Sequence, residues 1–332
     1  MQAFVYEEYG PPDVLELRDV EKPVPAESEL LVRVQAASVN PFDWHMLTGT
    51  PYLVRMQAGL RGPKDGRLGV DYAGTVEAVG AAVTQFESGD EVFGGRSGAF
   101  GEYVTPREDG AVARKPANVS FEQAATVGIA GLTALQGLRD KGELQPGQKV
   151  LINGASGGVG TWAVQLAKWL GAEVTGVCST PNVDAARELG ADRVIDYTQE
   201  DFTHSAGEHD LMLDIPGNRS WSECKRVLKD HGRLVLVSGP KSNRWVGPLG
   251  RMVGMRLASM RGSTEAKPFV AKMNGDDMRL FAKLMAAGAV TPLVERQYEL
   301  REVPAALTYL GDGHARGKLV VSVGGADSSG VG

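Results

Sequence analysis

Ile152-Asn153-Gly154-Ala155-Ser156-Gly157-Gly158-Val159-Gly160 stands between an apolar run at residues 149–153 and a stretch at 159–170 with Val164, Leu166, Ala167 and Leu170. The run predicts a buried strand, and the spacing of the stretch predicts a helix with one apolar face. Glycine between them permits a tight turn, a close backbone approach and helix–strand packing without an intervening side chain. In an A-x-G-x-x-G pattern the key positions are Ala155, Gly157 and Gly160. The helix start offers free N–H groups and the positive end of a dipole, which suits a pyrophosphate. Glycine turns are common, so the pattern alone is weak. The strand before it, the helix after it and a second strand at 173–178 are the context a dinucleotide site requires.

The same rhythm continues outward. A helix is expected at 182–189, ending at Gly190, and strands at 193–197, 210–215 and 233–237. Alternating strands and helices predict an α/β fold with a doubly wound parallel sheet. Before residue 120 the texture differs: residues 28–40 and 72–80 alternate apolar and polar positions between closely spaced glycines and prolines. That pattern predicts an antiparallel barrel-like or sandwich-like β unit. Short strand-like segments return at 297–300 and 319–323. The expected organisation is a β unit at 1–122, a dinucleotide-binding unit at 123–290, and a return to the first unit at 291–323. Residues 324–332, small and polar, are expected to fray.

Among 332 residues, 41 acidic against 35 basic side chains leave a net charge of -6. That balance argues against a nucleic-acid groove; the cluster Arg244, Arg251, Arg256 and Arg261 is a local exception. No apolar run reaches the roughly 18 residues of a membrane span. The first residues lack a signal-peptide pattern. Cys178 and Cys224 are too few for a disulfide framework, so a cytoplasmic setting is expected.

The end of the second strand bears on the cofactor. An Asp or Glu there would hold the ribose 2′-hydroxyl of NAD. This chain has Cys178-Ser179-Thr180-Pro181-Asn182 instead. Hydroxyl and amide groups can donate to a 2′-phosphate that a carboxylate would repel. NADPH is therefore the expected cofactor, with NADH as the alternative. Ser179 and Asn182 could equally cap the following helix.

Several motifs, in order, resemble the medium-chain dehydrogenase/reductase superfamily in its zinc-independent quinone oxidoreductase (zeta-crystallin-like) branch. They are Ala37-Ser38-Val39-Asn40-Pro41-Phe42-Asp43, Leu68-Gly69-Val70-Asp71-Tyr72-Ala73-Gly74, Gly89-Asp90-Glu91-Val92-Phe93 and Gly131-Leu132-Thr133-Ala134. Beyond the glycine loop come Leu189-Gly190-Ala191-Asp192-Arg193-Val194-Ile195-Asp196-Tyr197 and Gly313-His314-Ala315-Arg316-Gly317-Lys318. The resemblance implies a GroES-like β-barrel catalytic domain interrupted by a Rossmann domain. It implies Ser156, Gly157, Gly158 and Val159 at the pyrophosphate, and Ser179, Asn182 and Tyr197 around the 2′-phosphate. It also implies Ile215, Ser238 and Gly239 along the ribose and nicotinamide, with Asn40, Thr133 and Lys318 near the nicotinamide. Core packing for Ile215 and a solvated charge for Lys318 are the plainer alternatives. A homodimer is expected by analogy.

Zinc enzymes of that superfamily place Cys where this chain has Asn40, His where it has Val70, and a second Cys near Ile129. Too few ligands remain for a catalytic zinc, so none is expected. Without a metal, hydride transfer to a quinone or an enone needs positioning and a donor to the developing oxyanion. Asn40 and Tyr52 are the candidate donors and Asp43 an organiser of their loop; Tyr52 could instead be a lid aromatic. An alcohol or aldehyde oxidoreductase and a non-catalytic dinucleotide sensor are the competing functions. Residues 240–269, with Trp245 and three methionines, are expected to wall the substrate site, cover a subunit interface or pack as an amphipathic helix.

Overall fold

The computed structural model describes residues 1–204, 208–238, 249–260, 262–313 and 315–324. Gly239, Arg244, Trp245, Arg261, His314 and the tail expected to fray beyond Gly324 lie outside the described residues.

Six strands, Lys149–Asn153, Glu173–Cys178, Arg193–Asp196, His209–Asp214, Leu228–Leu236 and Glu265–Pro268, form one wholly parallel sheet. Counted along the chain, their spatial order is 3-2-1-4-5-6. This is the doubly wound dinucleotide-binding order, and its direction reverses between the first and fourth strands. The crevice at their carboxyl ends is flanked by Asn153 and Asp214, which pair in register. Buried apolar residues occupy both faces, as a parallel sheet covered by helices requires. Val150, Ile152, Leu211, Leu213 and Val235 join one core, and Leu151, Met212, Leu234 and Leu236 join the other. On the first face the helix Gly158–Trp169 meets the helix Gly275–Ala286 through Trp162 and Phe281, edge to face at 5.3 Å.

The strand Glu265–Pro268 was not expected, because one buried alanine among charged residues and a proline carries no strand signal. Charge and proline are typical of an exposed sheet edge, which is where it lies.

A second sheet runs Val294–Glu299, Lys318–Ser322, Leu30–Val39, Asp71–Val79, Glu91–Gly95, Val112–Arg114, with Tyr103–Val104 also pairing to Leu30–Val39. The last two strands of the chain are parallel because the helix Val303–Gly311 carries the chain back between them. Phe4, Leu30, Val32, Tyr72, Val92, Phe100 and Val321 belong to its core. The helix Pro41–Thr48 has apolar residues on all sides, so periodicity did not reveal it. Pro41 at its first position and Gly49 at φ 58° bound it.

Candidate active site

Three neighbouring strands bring one polar cluster together. Antiparallel pairing sets Ser38 opposite Asp71 and Val39 opposite Leu319, so Asn40, Asp71 and Lys318 meet at the same end of the sheet. Asp71 is the hub. Its Oδ2 accepts from Ser38 Oγ at 3.1 Å and from Asn40 Nδ2 at 2.9 Å. Its Oδ1 accepts from the Ile129 N–H at 2.9 Å. Lys318 Nζ donates to Asn40 Oδ1 at 2.5 Å and stands 3.6 Å from Asp71 Oδ2. Ser38, Asn40, Asp43, Asp71 and Lys318 are all buried.

Burial raises the Asp71 carboxyl above its ordinary range, while Lys318 and the hydrogen bonds from Asn40, Ile129 and Ser38 pull it back. Burial lowers the Lys318 ammonium, opposed by Asp71 and Asp43. The three hydrogen bonds and the facing ammonium favour the charged form of Asp71 against its burial. Asn40 donates both to Asp71 and, at 3.2 Å, to the Ser38 carbonyl, so its amide N–H groups are committed.

Lys318 also borders the glycine loop. A Cβ built on Gly158 would lie 3.0 Å from Lys318 Cδ. Gly157, extended at φ -79° and ψ 174°, precedes the helix, and a Cβ there would meet only the Gly154 carbonyl at 3.7 Å. Ser156 and Val159 are half-buried beside them. This bare backbone at a helix start is a cradle that fits a pyrophosphate.

At the second strand end, Asn182 Nδ2 donates to Ser179 Oγ at 2.9 Å, with Asn182 buried and Ser179 half-buried. Next to them Thr180 and Thr198 hydroxyls donate to Asp196 at 2.6 and 2.8 Å. Those bonds hold the Asp196 carboxyl below its usual range. Tyr197 follows, 54% exposed. Ile215 follows the fourth strand and packs against the core, and Ser238, half-buried, follows the fifth. Thr133 is buried in the helix Leu132–Gln136. Tyr52 stands in the turn Tyr52–Val54, where the Arg55 guanidinium lies between its ring, at 4.7 Å, and that of Tyr9, at 4.5 Å.

The structure thus joins Asn40, Lys318 and Gly158 in one place and Ser179 with Asn182 in another, and it stacks Tyr52 on Arg55. The hub Asp71 was not singled out as a site residue, although it lies in the quoted Leu68-Gly69-Val70-Asp71-Tyr72. Its signal was an acid at the start of a strand whose next residues, Tyr72 and Ala73, are buried. Asp214 was also missed. It accepts from Asn153 Nδ2 at 2.9 Å and pairs with Arg251 at 3.4 Å, which ties the helix Leu249–Ser259 to the crevice. Met252 and Met255 are buried on that helix.

Gly128 approaches Asp71 so closely that a Cβ would run into its carboxylate. Gly128→Ala is expected to cost about 1–3 kcal/mol through overpacking. Calorimetry would read this as a lowered Tm, and an unchanged Tm would mean that the close approach constrains nothing.

Zinc does not fit this cluster. The Asn40 amide is spent on Lys318 and Asp71, the neighbouring Val70 offers no ligand atom, and an ammonium occupies the centre. Among the described residues no group of three or more His, Cys, Asp or Glu could hold a metal ion. Nor is any described helix long and apolar enough to cross a membrane.

Residues 26–117 match the family model for an alcohol dehydrogenase GroES-like domain, and residues 189–321 match that for a zinc-binding dehydrogenase. The chain is 32% identical to the chloroplastic NADPH-dependent alkenal/one oxidoreductase of Arabidopsis thaliana, over 97% of this chain and 79% of that protein. It is 31% identical to the chloroplastic quinone-oxidoreductase QR1 of Triphysaria versicolor, over 97% and 98% respectively. Among solved structures, the quinone oxidoreductase from Coxiella burnetii superposes with a TM-score of 0.84 at 30% identity, covering 98% of this chain and 99% of that one. The Escherichia coli quinone oxidoreductase complexed with NADPH gives 0.82 at 26% identity, covering 97% and 100%. The chain belongs to the medium-chain dehydrogenase/reductase superfamily of oxidoreductases, in its quinone oxidoreductase branch.

Proposed function

We propose that this chain is an NADPH-dependent reductase that transfers hydride to a quinone or to an activated alkene such as an enone, without zinc. The meeting of a buried ammonium, Lys318, with the glycine loop at Gly158 carries the reading. It sets a fixed positive charge beside the cradle for an anionic cofactor. The NADPH-dependent alkenal/one oxidoreductase and the quinone oxidoreductases among its relatives support the substrate class.

Bound NADPH would supply the hydride. Ser156, Gly157, Gly158 and Val159 would hold its pyrophosphate, and Ser179, Asn182 and Tyr197 its 2′-phosphate. Ile215, Ser238 and Gly239 would line the ribose and nicotinamide, with Thr133, Asn40 and Lys318 near the nicotinamide. Asn40, its amide committed, acts by aiming Lys318; Tyr52 is the hydroxyl donor to the acceptor oxygen. Phe42, Met46, Leu68 and Val70 form the apolar part of the wall of a cavity of about 200 Å³ next to Asp43, which Lys64, Asp65 and Arg67 also line; its apolar part would suit a flat acceptor. A donor near the oxygen stabilises charge as the enolate or hydroquinone forms, and solvent completes the protonation.

The proposal takes 1–122 with 291–323 as the catalytic domain and 123–290 as the cofactor domain. It places a homodimer in the cytoplasm, where free, buried Cys178 and Cys224 suit a reducing environment.

The test is NADPH oxidation with a quinone and an enone, before and after chelator treatment and with NADH in parallel. Turnover that survives the chelator and favours NADPH is expected. Turnover lost with the chelator would overturn the metal-free chemistry, and cofactor binding without reduction of any acceptor would overturn the reductase reading.

A further inference from the structure

Asp43 lies in the first turn of the helix Pro41–Thr48, and only one of its carboxyl oxygens is used. Oδ2 accepts the Asn40 N–H at 2.8 Å. Oδ1 is buried and has no hydrogen-bond partner. The other carboxyl of the cluster, Asp71, accepts from Ser38, Asn40 and Ile129 and faces Lys318. Two buried carboxyls therefore share one buried ammonium. Asp71 has the partners that replace water around an ion, and Asp43 does not. Asp43 also forms part of the wall of the cavity of about 200 Å³, which Tyr6, Lys64, Asp65 and Arg67 line too. A cavity of that size admits water, with which a carboxyl can exchange a proton.

We propose that Asp43 works as a neutral acid, a positioning residue that leaves Lys318 balanced by the single charge of Asp71 beside the glycine loop. Losing its proton to water through the cavity puts a second negative charge behind the cofactor and weakens NADPH binding. The inference rests on NADPH being the ligand of that loop. Burial, then the nearby Asp71, pushes the Asp43 carboxyl up to about 8, against the pull of Asn40 and Lys318. Tyr6, near the start of the chain and held well above its ordinary value by burial, faces it and stays neutral. Across the cavity Asp65 and Arg67 pair at 3.0 Å, leaving Lys64 as the third charged group there. On its own helix His45 turns to the Thr50 carbonyl at 2.6 Å.

A carboxyl raised on folding contributes stability that is full below its unfolded pKa, roughly 4, and is lost as pH rises through the folded value. Asp43→Asn keeps an acceptor for Asn40 and mimics the protonated acid. Without cofactor, the Tm of D43N is expected to gain on wild type by a few degrees between pH 5 and pH 8. With NADPH as the probe, followed by fluorescence, the wild-type Kd should weaken roughly fivefold from pH 7 to pH 9 while that of D43N stays level. A Tm difference independent of pH would overturn the proposal, since Asp43 would then be ionised throughout. A growing Tm difference with the same Kd profile in both proteins would overturn the coupling to the cofactor. Should D43N fail to fold, infrared difference spectra of wild type decide. Loss of a protonated carboxyl band between pH 7 and pH 9 supports the proposal, and its absence overturns it. Neither the Tm nor the infrared readout needs an acceptor, so an enzyme that reduces no quinone or enone leaves this test intact.

Discussion

Lys318→Met is expected to cost about 3–5 kcal/mol of stability at neutral pH, the penalty for stranding a buried charge. The stranded group is Asp71, fully buried and 3.6 Å from the ammonium that is removed. Its hydrogen bonds from Ser38, Asn40 and Ile129 survive, but the carboxyl loses the cation that opposes the upward push of burial. In the variant Asp71 therefore titrates further above its unfolded value. A group raised in this way contributes stability that is lost as pH rises. The deficit of K318M relative to wild type should accordingly be smaller at pH 5 than at pH 8, as read by urea unfolding at the two values. Equal deficits would mean that Asp71 is already neutral in the native protein. NADPH binding should weaken as well, because the same ammonium borders Gly158.

Gly160→Ala should act on the loop itself. A Cβ there would run into the Gly154 carbonyl and lie 2.8 Å from Ala155 Cα. Both obstacles are backbone of the turn that ends the first parallel strand, so relief requires opening the turn. Overpacking of about 1–3 kcal/mol, spent on the loop, translates into NADPH affinity lowered on the order of 10–100-fold. Isothermal titration with NADPH checks this. Affinity within threefold of wild type would show that the loop can open without disturbing the cofactor.

Much of the cofactor half was legible because its signals are local. The strand, the glycine turn and the helix of residues 149–170 are adjacent in the chain, and periodicity with glycine chemistry marks all three. The edge strand Glu265–Pro268 escaped because solvent, not core, sets its composition. The helix Pro41–Thr48 escaped because its apolar residues, interspersed with Asp43 and His45, gather on no single face. The polar cluster was only half legible. Asn40 and Lys318 stood out by position in their motifs, but Asp71 becomes their partner only through the register of three strands, two of them antiparallel to the central one. Such registers depend on pairing between segments far apart in the chain. Composition also hid the difference between Asp43 and Asp71, since the same carboxyl is an ion or an acid according to how many donors surround it.

The strand Lys318–Ser322 lies inside its sheet, between Val294–Glu299 and Leu30–Val39. During synthesis the N-terminal strands therefore wait for their neighbour. The hydrogen bond from Lys318 to Asn40 spans 278 residues. At the usual pace of translation that separation corresponds to a delay on the order of half a minute. For that interval the nascent sheet has an open edge and the Asp71 carboxyl lacks Lys318, and by its close every strand of the parallel sheet has already been made. A ribosome stalled just before residue 318 would thus hold every strand of the parallel sheet while the second sheet still lacks an inner strand, its edge open to pairing.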